Sequence, residues 1–380
     1  MKKEKLLMTP GPTMVPPAVL MAGGEPMIHH RTPEYSQLFR ELNKNLKTIF
    51  QTQNPVLTFP AAGTGGLEAA VVNFFSPGDR VLCTSIGVFG DRVATIAKAF
   101  GLNVEKLTVP LGEAVDPRII EEKLKEQNYK GVFVTHNETS TGAYNDIEAI
   151  GKITKNKDIL LIVDAVSSLG GLDLKTDEWG VDVVITASQK ALMAPPGLTF
   201  LSVSNKGWEA AQNSTSPKFY WDVIKARKAM EKPSPQNPYT PAVSLLRSVN
   251  KALELIIEEG LQEVFHRHSQ LAKATRAAVE ALGLKLFAAP QARSNVITSI
   301  KMPEGIDGEK VKKQMAEKYG VITAGGQEDL KGKILRIGHM GYVHEGDIIQ
   351  TIAALEKALI DVGYPIEKAV GIKAALEVFN

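Results

Sequence analysis

VDVVITASQKALMAPPGLTF, residues 181–200, decides how this chain is read. The run VDVVITA (181–187) is apolar at successive positions, which predicts a strand covered on both faces. It ends in Ser188-Gln189-Lys190, and two prolines and a glycine follow before a second apolar run, LTFLSV (198–203). Lysine is ordinarily exposed. A lysine delivered by a buried strand is therefore either a loop residue in water or a placed one, and the rest of the chain separates the two.

Upstream, further short apolar runs alternate with helical segments: VLTFPAA (56–62), RVLCTS (80–85), VEKLTV (104–109), GVFVTH (131–136) and ILLIVDA (159–165). This alternation predicts an α/β fold with a mostly parallel sheet. Ligands gather at the carboxyl ends of such strands. Residues 1–17 are proline-rich and read as an extended arm, more arm than core. In RTPEYSQLFRELNKNLKTIFQ (31–51), Thr32 is a candidate N-cap and Pro33 a first helical residue. Leu38, Leu42, Leu46, Ile49 and Phe50 then follow helical spacing. After the proline-rich loop EKPSPQNPYTPAVS (231–244), an amphipathic helix over 241–259 carries Leu245, Leu246, Val249, Leu253, Ile256 and Ile257 on one face. Gly260 stops it. From 262 the texture changes to a smaller α+β unit, with a helix ending at Gly320, a strand in KILRIGHM, and GDIIQTIAALEKALIDVG (346–363) as the closing helix. The expected organisation is an arm over 1–17, a large domain over 18–261 and a small one over 262–380.

Composition narrows the class. The 380 residues are 44% hydrophobic and 23% charged, with a formal net charge of +2. No basic stripe with interleaved aromatics points to nucleic acid. No apolar run reaches the roughly 20 residues of a membrane span, and the N-terminus lacks the apolar core of a signal peptide. The single cysteine, Cys83, excludes an internal disulfide and a cysteine-based zinc cluster, and it fits a reducing cytoplasm. The histidines show no HExxH spacing, so no metal site is expected.

Polar residues recur at the predicted strand ends. Asp164 closes ILLIVD, where it either caps the next turn or pairs with a buried cation. Lys190 closes the next strand and so reaches the same sheet edge. A lysine and an aspartate in one crevice suit pyridoxal phosphate: the amine joins the aldehyde, and the carboxylate keeps the pyridine nitrogen protonated. In AAGTGGLEAAVVNFF (61–75), Gly63, Gly65 and Gly66 allow close backbone approach and Thr64 adds a hydroxyl, just where a helix N-terminus can bind phosphate. IGVFGDR (86–92) offers Phe89 as a flat stacking surface. THNETSTG (135–142) offers hydroxyls, Thr139 among them.

Together LMTPGPTMVPP, AGTGGLEAA, GVFGDR, THNETSTG, VDAVSSLGG, SQKALMAPPG and LRIGHMG resemble the class V aminotransferases, most of all the serine–pyruvate/alanine–glyoxylate/serine–glyoxylate branch, over nearly the whole chain. The resemblance implies fold-type I, with a seven-stranded, mostly parallel sheet in a large domain, a small C-terminal α+β domain, and a homodimer with active sites at the subunit interface. It implies pyridoxal 5'-phosphate, with Lys190 as the Schiff-base lysine and Asp164 as the pyridinium partner. Phe89 stands in the ring-stacking place, Val166 on the opposite face, and Gly63, Thr64, Gly65 and Gln189 at the phosphate. Tyr239 and Thr240 match a pair that reaches the phosphate of the neighbouring subunit. Thr139 stands beside the ring oxygen, Arg336 grips the substrate carboxylate, and Gly11 makes a substrate-side backbone contact.

Two departures stand out. Ala62 replaces a common serine of the phosphate turn, and Phe89 stands where tryptophan is usual. The implied activity is two-step amino transfer from a small amino acid, alanine or serine, to glyoxylate or pyruvate. The rivals are a 2-aminoethylphosphonate transaminase, a desulfurase (which needs a mobile cysteine that Cys83 cannot be) and a catalytically silent cofactor-binding scaffold.

Overall fold

The computed structural model describes residues 5–380. The first four residues of the expected arm lie outside the described residues. Seven strands form the main sheet: β1 (Val56–Pro60), β2 (Arg80–Ser85), β3 (Asn103–Thr108), β4 (Gly131–Thr135), β5 (Leu160–Asp164), β6 (Val183–Ala187) and β7 (Leu198–Val203). Their order is β1-β7-β6-β5-β4-β2-β3. Strands β2 to β6 pair in parallel, and β7 runs antiparallel to both its neighbours. The reversal has a simple cause. Only residues 188–197 join β6 to β7, too few for a crossover helix, so the chain must turn back. Lys190 lies on that turn and is held at the carboxyl edge of the sheet.

Every residue of β4, β5, β6 and β7 is buried, as expected of strands covered on both faces. By contrast, β3, at one edge of the sheet, has no buried residue and carries Glu105 and Lys106, charges of the kind that blunt an open edge. Helix α1 (Pro33–Phe50) starts as the sequence predicts: the Thr32 hydroxyl accepts from the Tyr35 amide, and Pro33 opens the helix. Its buried face is Tyr35, Phe39, Leu42, Leu46, Ile49 and Phe50, and Leu38 is only half-buried. Helices α2 (Gly63–Phe74) and α3 (Val88–Ala99) follow β1 and β2 directly. Helix α4 (Val243–Glu259) stops at Gly260, whose φ is 89°. Its Ile257, expected on the apolar face, is 36% exposed.

In the C-terminal part, β8 (Lys285–Leu286), β9 (Ile297–Lys301), β10 (Ala324–Gly325) and β11 (Ile334–Gly338) form an antiparallel sheet in the order β8-β9-β11-β10. Helices α5 (Leu261–Ala281) and α6 (Glu345–Asp361) share its apolar core. Two expectations need correction here. Helix α6 does not close the chain, because α7 (Val370–Phe379) follows it. The start of α7 lacks a local cap. The buried Glu356 of α6 accepts from the amides of Ala369, Gly371 and Ile372 instead. Nor is the N-terminal segment mere arm. Leu6–Leu7 pairs in parallel with Val321–Ile322, the Gly338 amide donates to Met8 O at 2.8 Å, and Leu6 and Met8 sit inside the C-terminal core. Beyond Met8 the chain crosses to the edge of the large sheet. The Gly11–Pro12 peptide is cis, the only such bond among the described residues, so the bonds before Pro195 and Pro196 are trans.

Among the described residues no helix is long and apolar enough to cross a membrane. Met8 is fully buried whereas Met21 is 69% exposed. Met8→Ala is expected to destabilise the fold by about 2–5 kcal/mol and Met21→Ala by no more than about 0.5 kcal/mol. Denaturant unfolding measures both, and equal small effects would mean that the segment does not contribute to the core.

Candidate active site

Asp164 is the last residue of β5, and its buried carboxylate accepts from the Val166 amide at 3.0 Å. Burial pushes its pKa up to about 6, against the pull of that amide and of the Lys190 charge. Lys190 is pushed down to about 8, again by burial, with the Asp164 charge opposing. The two groups therefore face one another closely enough for each to favour the other's ionised form. The Lys190 amine donates to Pro10 O at 2.6 Å. Gly11 packs flat on the same side chain: a Cβ there would fall 2.4–2.6 Å from Lys190 Cδ, Nζ and Cε, and its φ is +123°. The lysine turn is itself locked. Thr13 donates to Lys190 O, Ser188 Oγ donates to Pro195 O at 2.7 Å, and the Leu198 amide donates back to Ser188 Oγ.

The glycine turn opens α2. Its N-cap, Ala62, has no side-chain acceptor to offer the first amides of the helix. Side chains crowd every glycine here: a Cβ on Gly63 would fall 2.7 Å from Val166, one on Gly65 2.8 Å from Trp221, and one on Gly66 2.3 Å from Thr199 Oγ1. The close approach thus serves packing of the helix start on β6 and β7 as well as access for a ligand. Gln189, beside the lysine, leaves its Oε1 buried without a partner. Phe89 is the second residue of α3. The Arg92 guanidinium lies 4.6 Å from the centre of its ring and donates to Thr64 Oγ1 at 3.3 Å. The Arg92 charge also lowers the pKa of both Asp164 and Lys190.

Arg336 comes from β11 in the C-terminal sheet. It is buried, and its guanidinium donates to two carbonyls, Gly325 O at 2.8 Å and Thr139 O at 2.5 Å. Burial lowers its pKa to about 10, with the Glu138 charge opposing. No carboxylate forms an ion pair with it among the described residues. A buried guanidinium left with carbonyl partners has capacity for an incoming carboxylate.

The edge thus brings together Lys190, Asp164, Val166, Gln189, Gly63, Thr64, Gly65, Phe89, Thr139, Arg336 and Gly11. Within one chain Tyr239 and Thr240 make no hydrogen bond or ring contact with these residues, and Tyr239 is linked to the Gly65 turn only through Tyr220 and Trp221. Tyr239 stacks on Tyr220 with ring centres 5.5 Å apart, accepts from Lys225 Nζ at 2.9 Å and donates to Phe219 O. Thr240 is exposed. Cys83 is fully buried in β2 with its thiol pushed up to about 12 by burial, so it cannot act as a mobile nucleophile. Sequence reading missed Arg92, Glu138 and the Pro10 carbonyl. Arg92 had a signal available, since it sits three residues after Phe89 on a helix and so shares its face.

Comparison with known proteins agrees with this geometry. The family model described as aminotransferase class-V matches residues 6–343. The chain is 43% identical to a protein of Synechococcus sp. named soluble hydrogenase, small subunit, over all of both chains. It is 38% identical to a serine–glyoxylate aminotransferase of Arabidopsis thaliana, covering 97% of this chain and 94% of that one. The crystal structure of a ureidoglycine–glyoxylate aminotransferase from Bacillus subtilis superposes with a TM-score of 0.96 at 32% identity, covering 100% of this chain and 99% of the other. Strand order, the lysine–aspartate edge and these matches together make the chain an aminotransferase of class V, a pyridoxal phosphate-dependent family.

Proposed function

We propose that this chain moves an amino group from a small amino acid, alanine or serine, to glyoxylate or pyruvate, in two half-reactions at the carboxyl edge of the sheet. The observation that carries the reading is Arg336, a buried guanidinium with carbonyl partners only, facing the lysine–aspartate pair. Donor and acceptor both carry a carboxylate beside the reacting carbon, so one arginine can orient both. The serine–glyoxylate relative supports this substrate class.

The residues fit pyridoxal 5'-phosphate. An uncapped helix start, the Thr64 hydroxyl and the nearby Arg92 suit its phosphate, and Gln189 would reach it by donating from its Nε2. Asp164 would hold the pyridine nitrogen, Phe89 and Val166 would flank the ring, Thr139 would stand at the ring oxygen, and Lys190 would anchor the aldehyde. When bound, the group supplies an electron sink for the pair left on the substrate carbon.

The chain's own residues do the rest. Above about pH 6 Asp164 is a carboxylate and would keep the pyridine nitrogen of the bound group protonated. Lys190, with its pKa near 8, takes the α-proton at Nζ and returns it elsewhere, because its free amine is accessible near neutral pH. Arg336 fixes the substrate carboxylate and thereby the bond that breaks. Gly11 leaves room for the amine to move on the substrate side.

We read the working form as a cytoplasmic homodimer. Phe219, Met21 and Met27 expose large apolar surface, and the exposed Thr240 beside Tyr239 can reach a neighbouring site. Among the described residues no three His, Cys, Asp or Glu groups converge as a metal-ligand set.

Lys190→Ala is expected to leave a folded protein with background turnover, to which borohydride cannot fix the cofactor. Normal turnover in this variant would overturn the assignment. Assay of serine, alanine, aspartate and 2-aminoethylphosphonate against glyoxylate and pyruvate should favour serine or alanine, and preference for the phosphonate would move the chain to another substrate class. Arg336→Lys, which loses the bidentate fork, should raise KM for amino and oxo acids alike by about tenfold or more.

In the cofactor-free protein, aldehyde modification of Lys190 should rise with a midpoint near pH 8 rather than 10.5. The midpoint should fall further in Asp164→Asn, because the lost carboxylate favoured the ammonium. The linked stability effect has a definite sign: between about pH 8 and 10.5 the unfolded chain holds the extra proton, so stability rises with pH across that window. A midpoint near 10.5 would show that the amine is not buried.

A further inference from the structure

Glu138 is fully buried, has no assigned step in the chemistry above, and acts on it only at a distance: its charge favours the neutral acid of Asp164 and the ionised form of Arg336. Its Oε2 accepts from the amides of Phe89 at 3.0 Å and Gly90 at 3.2 Å. Its Oε1 accepts from the Ser140 amide at 3.1 Å and the Ser140 hydroxyl at 2.6 Å. That hydroxyl in turn accepts from the Val88 amide at 3.1 Å. The first three amides of α3 are therefore taken up by two side chains some fifty residues away in sequence. The helix has no cap of its own, since its N-cap is Gly87.

Gly87 is glycine for a related reason. Its φ of 160° is extended backbone open to any residue, but a Cβ would fall 2.4 Å from Ser140 Oγ and 2.6 Å from Glu138 Cγ. Glu138 also lies in the hairpin Asn137–Glu138/Ala143–Tyr144. The next residue, Thr139, gives its carbonyl to Arg336, and the Glu138 charge favours the ionised guanidinium.

We propose that Glu138 is a positioning residue that sets Phe89 and Arg336 in register with one another. Through α3 it fixes the aromatic that flanks the cofactor. Through the hairpin and its charge it holds the arginine that grips the substrate. The inference rests on the function proposed above, and it assigns a role to a group that touches neither ligand.

The test is a double-mutant cycle on the cofactor-free protein titrated with pyridoxal 5'-phosphate. Tryptophan fluorescence is a suitable readout, because Trp221 abuts the Gly65 turn. Burial raises the pKa of the Glu138 carboxyl above its usual range, against the pull of its four donors. Glu138→Gln, which puts an NH2 donor where one of the two accepting oxygens stood, should weaken cofactor binding by about tenfold and raise KM for amino and oxo acids by a similar factor, with kcat changing less. In a Phe89→Ala background the same substitution should cost clearly less cofactor affinity than in the wild type, because part of its effect passes through Phe89 and only the remainder through Arg92 on the same helix. Gly87→Ala, which displaces Glu138 without removing it, should shift both quantities in the same direction, and it carries the test if Glu138→Gln does not fold. Full multiplication of the two effects would overturn the proposal. So would a fall in melting temperature with cofactor affinity and KM unchanged, the mark of a merely structural role. A wild-type protein that neither binds pyridoxal 5'-phosphate nor transaminates would instead overturn the underlying function.

Discussion

Two opposite charges held out of water at one sheet edge govern this structure. Burial drives Asp164 toward its neutral acid and Lys190 toward its neutral amine, and each opposes the neutralisation of the other. The result is a carboxylate and an amine whose protonation both change near physiological pH. Such a pair survives only where surrounding hydrogen bonds hold it. The Val166 amide steadies Asp164, and the Pro10 carbonyl receives the lysine amine. The antiparallel return of β7 keeps the lysine from swinging into solvent, since its turn is pinned at Ser188 and Thr13.

This constraint explains why distant parts of the chain must meet. The N-terminal segment is built into the C-terminal core through Leu6 and Met8 and then continues over the large sheet to cover the lysine. Arg336 leaves the small sheet and bonds to a carbonyl of the large unit. The first brings Pro10 and Gly11, anchored on the C-terminal core, over Lys190, and the second brings Arg336 to the same crevice. The site is therefore assembled by packing between the two sheets rather than by either alone.

Much of this was legible because its signals are local. Most strands of the main sheet announce themselves as short apolar runs, the edge strand β3 only by apolar residues interleaved with polar ones, and Asp164 and Lys190 stand out as charges at strand ends. Thr32 and Pro33 mark the start of α1 by chemistry within four residues. The misses share the opposite property. LLM at 6–8 is too short to signal burial, and its partners, Val321 and Ile322, lie far along the chain. Helix α7 has no cap in its own sequence, because Glu356 supplies it from α6. Glu138 and Arg92 look like surface charges, and only tertiary neighbours reveal what they hold. Ile257 and Leu38 show the finer limit: helical spacing identifies the buried stripe, but the neighbouring elements decide where its margins fall.

The phosphate turn shows how such a site absorbs a substitution. Alanine at 62 removes a hydroxyl that could have served either the ligand or the helix start, and both then depend on the bare amides of α2. Arg92 changes the balance. It approaches the turn from α3, bonded to Thr64 and stacked on Phe89, and brings a full positive charge where serine would bring a dipole. A charge-assisted contact is roughly twice as strong as a neutral one. On the proposed function, Arg92 would offset the hydroxyl missing at Ala62 from another helix, the one whose N-terminus Glu138 and Ser140 hold. The aromatic flank, the added cation and the buried glutamate consequently move as one body, so geometry at the phosphate and at the ring cannot be tuned separately in this chain.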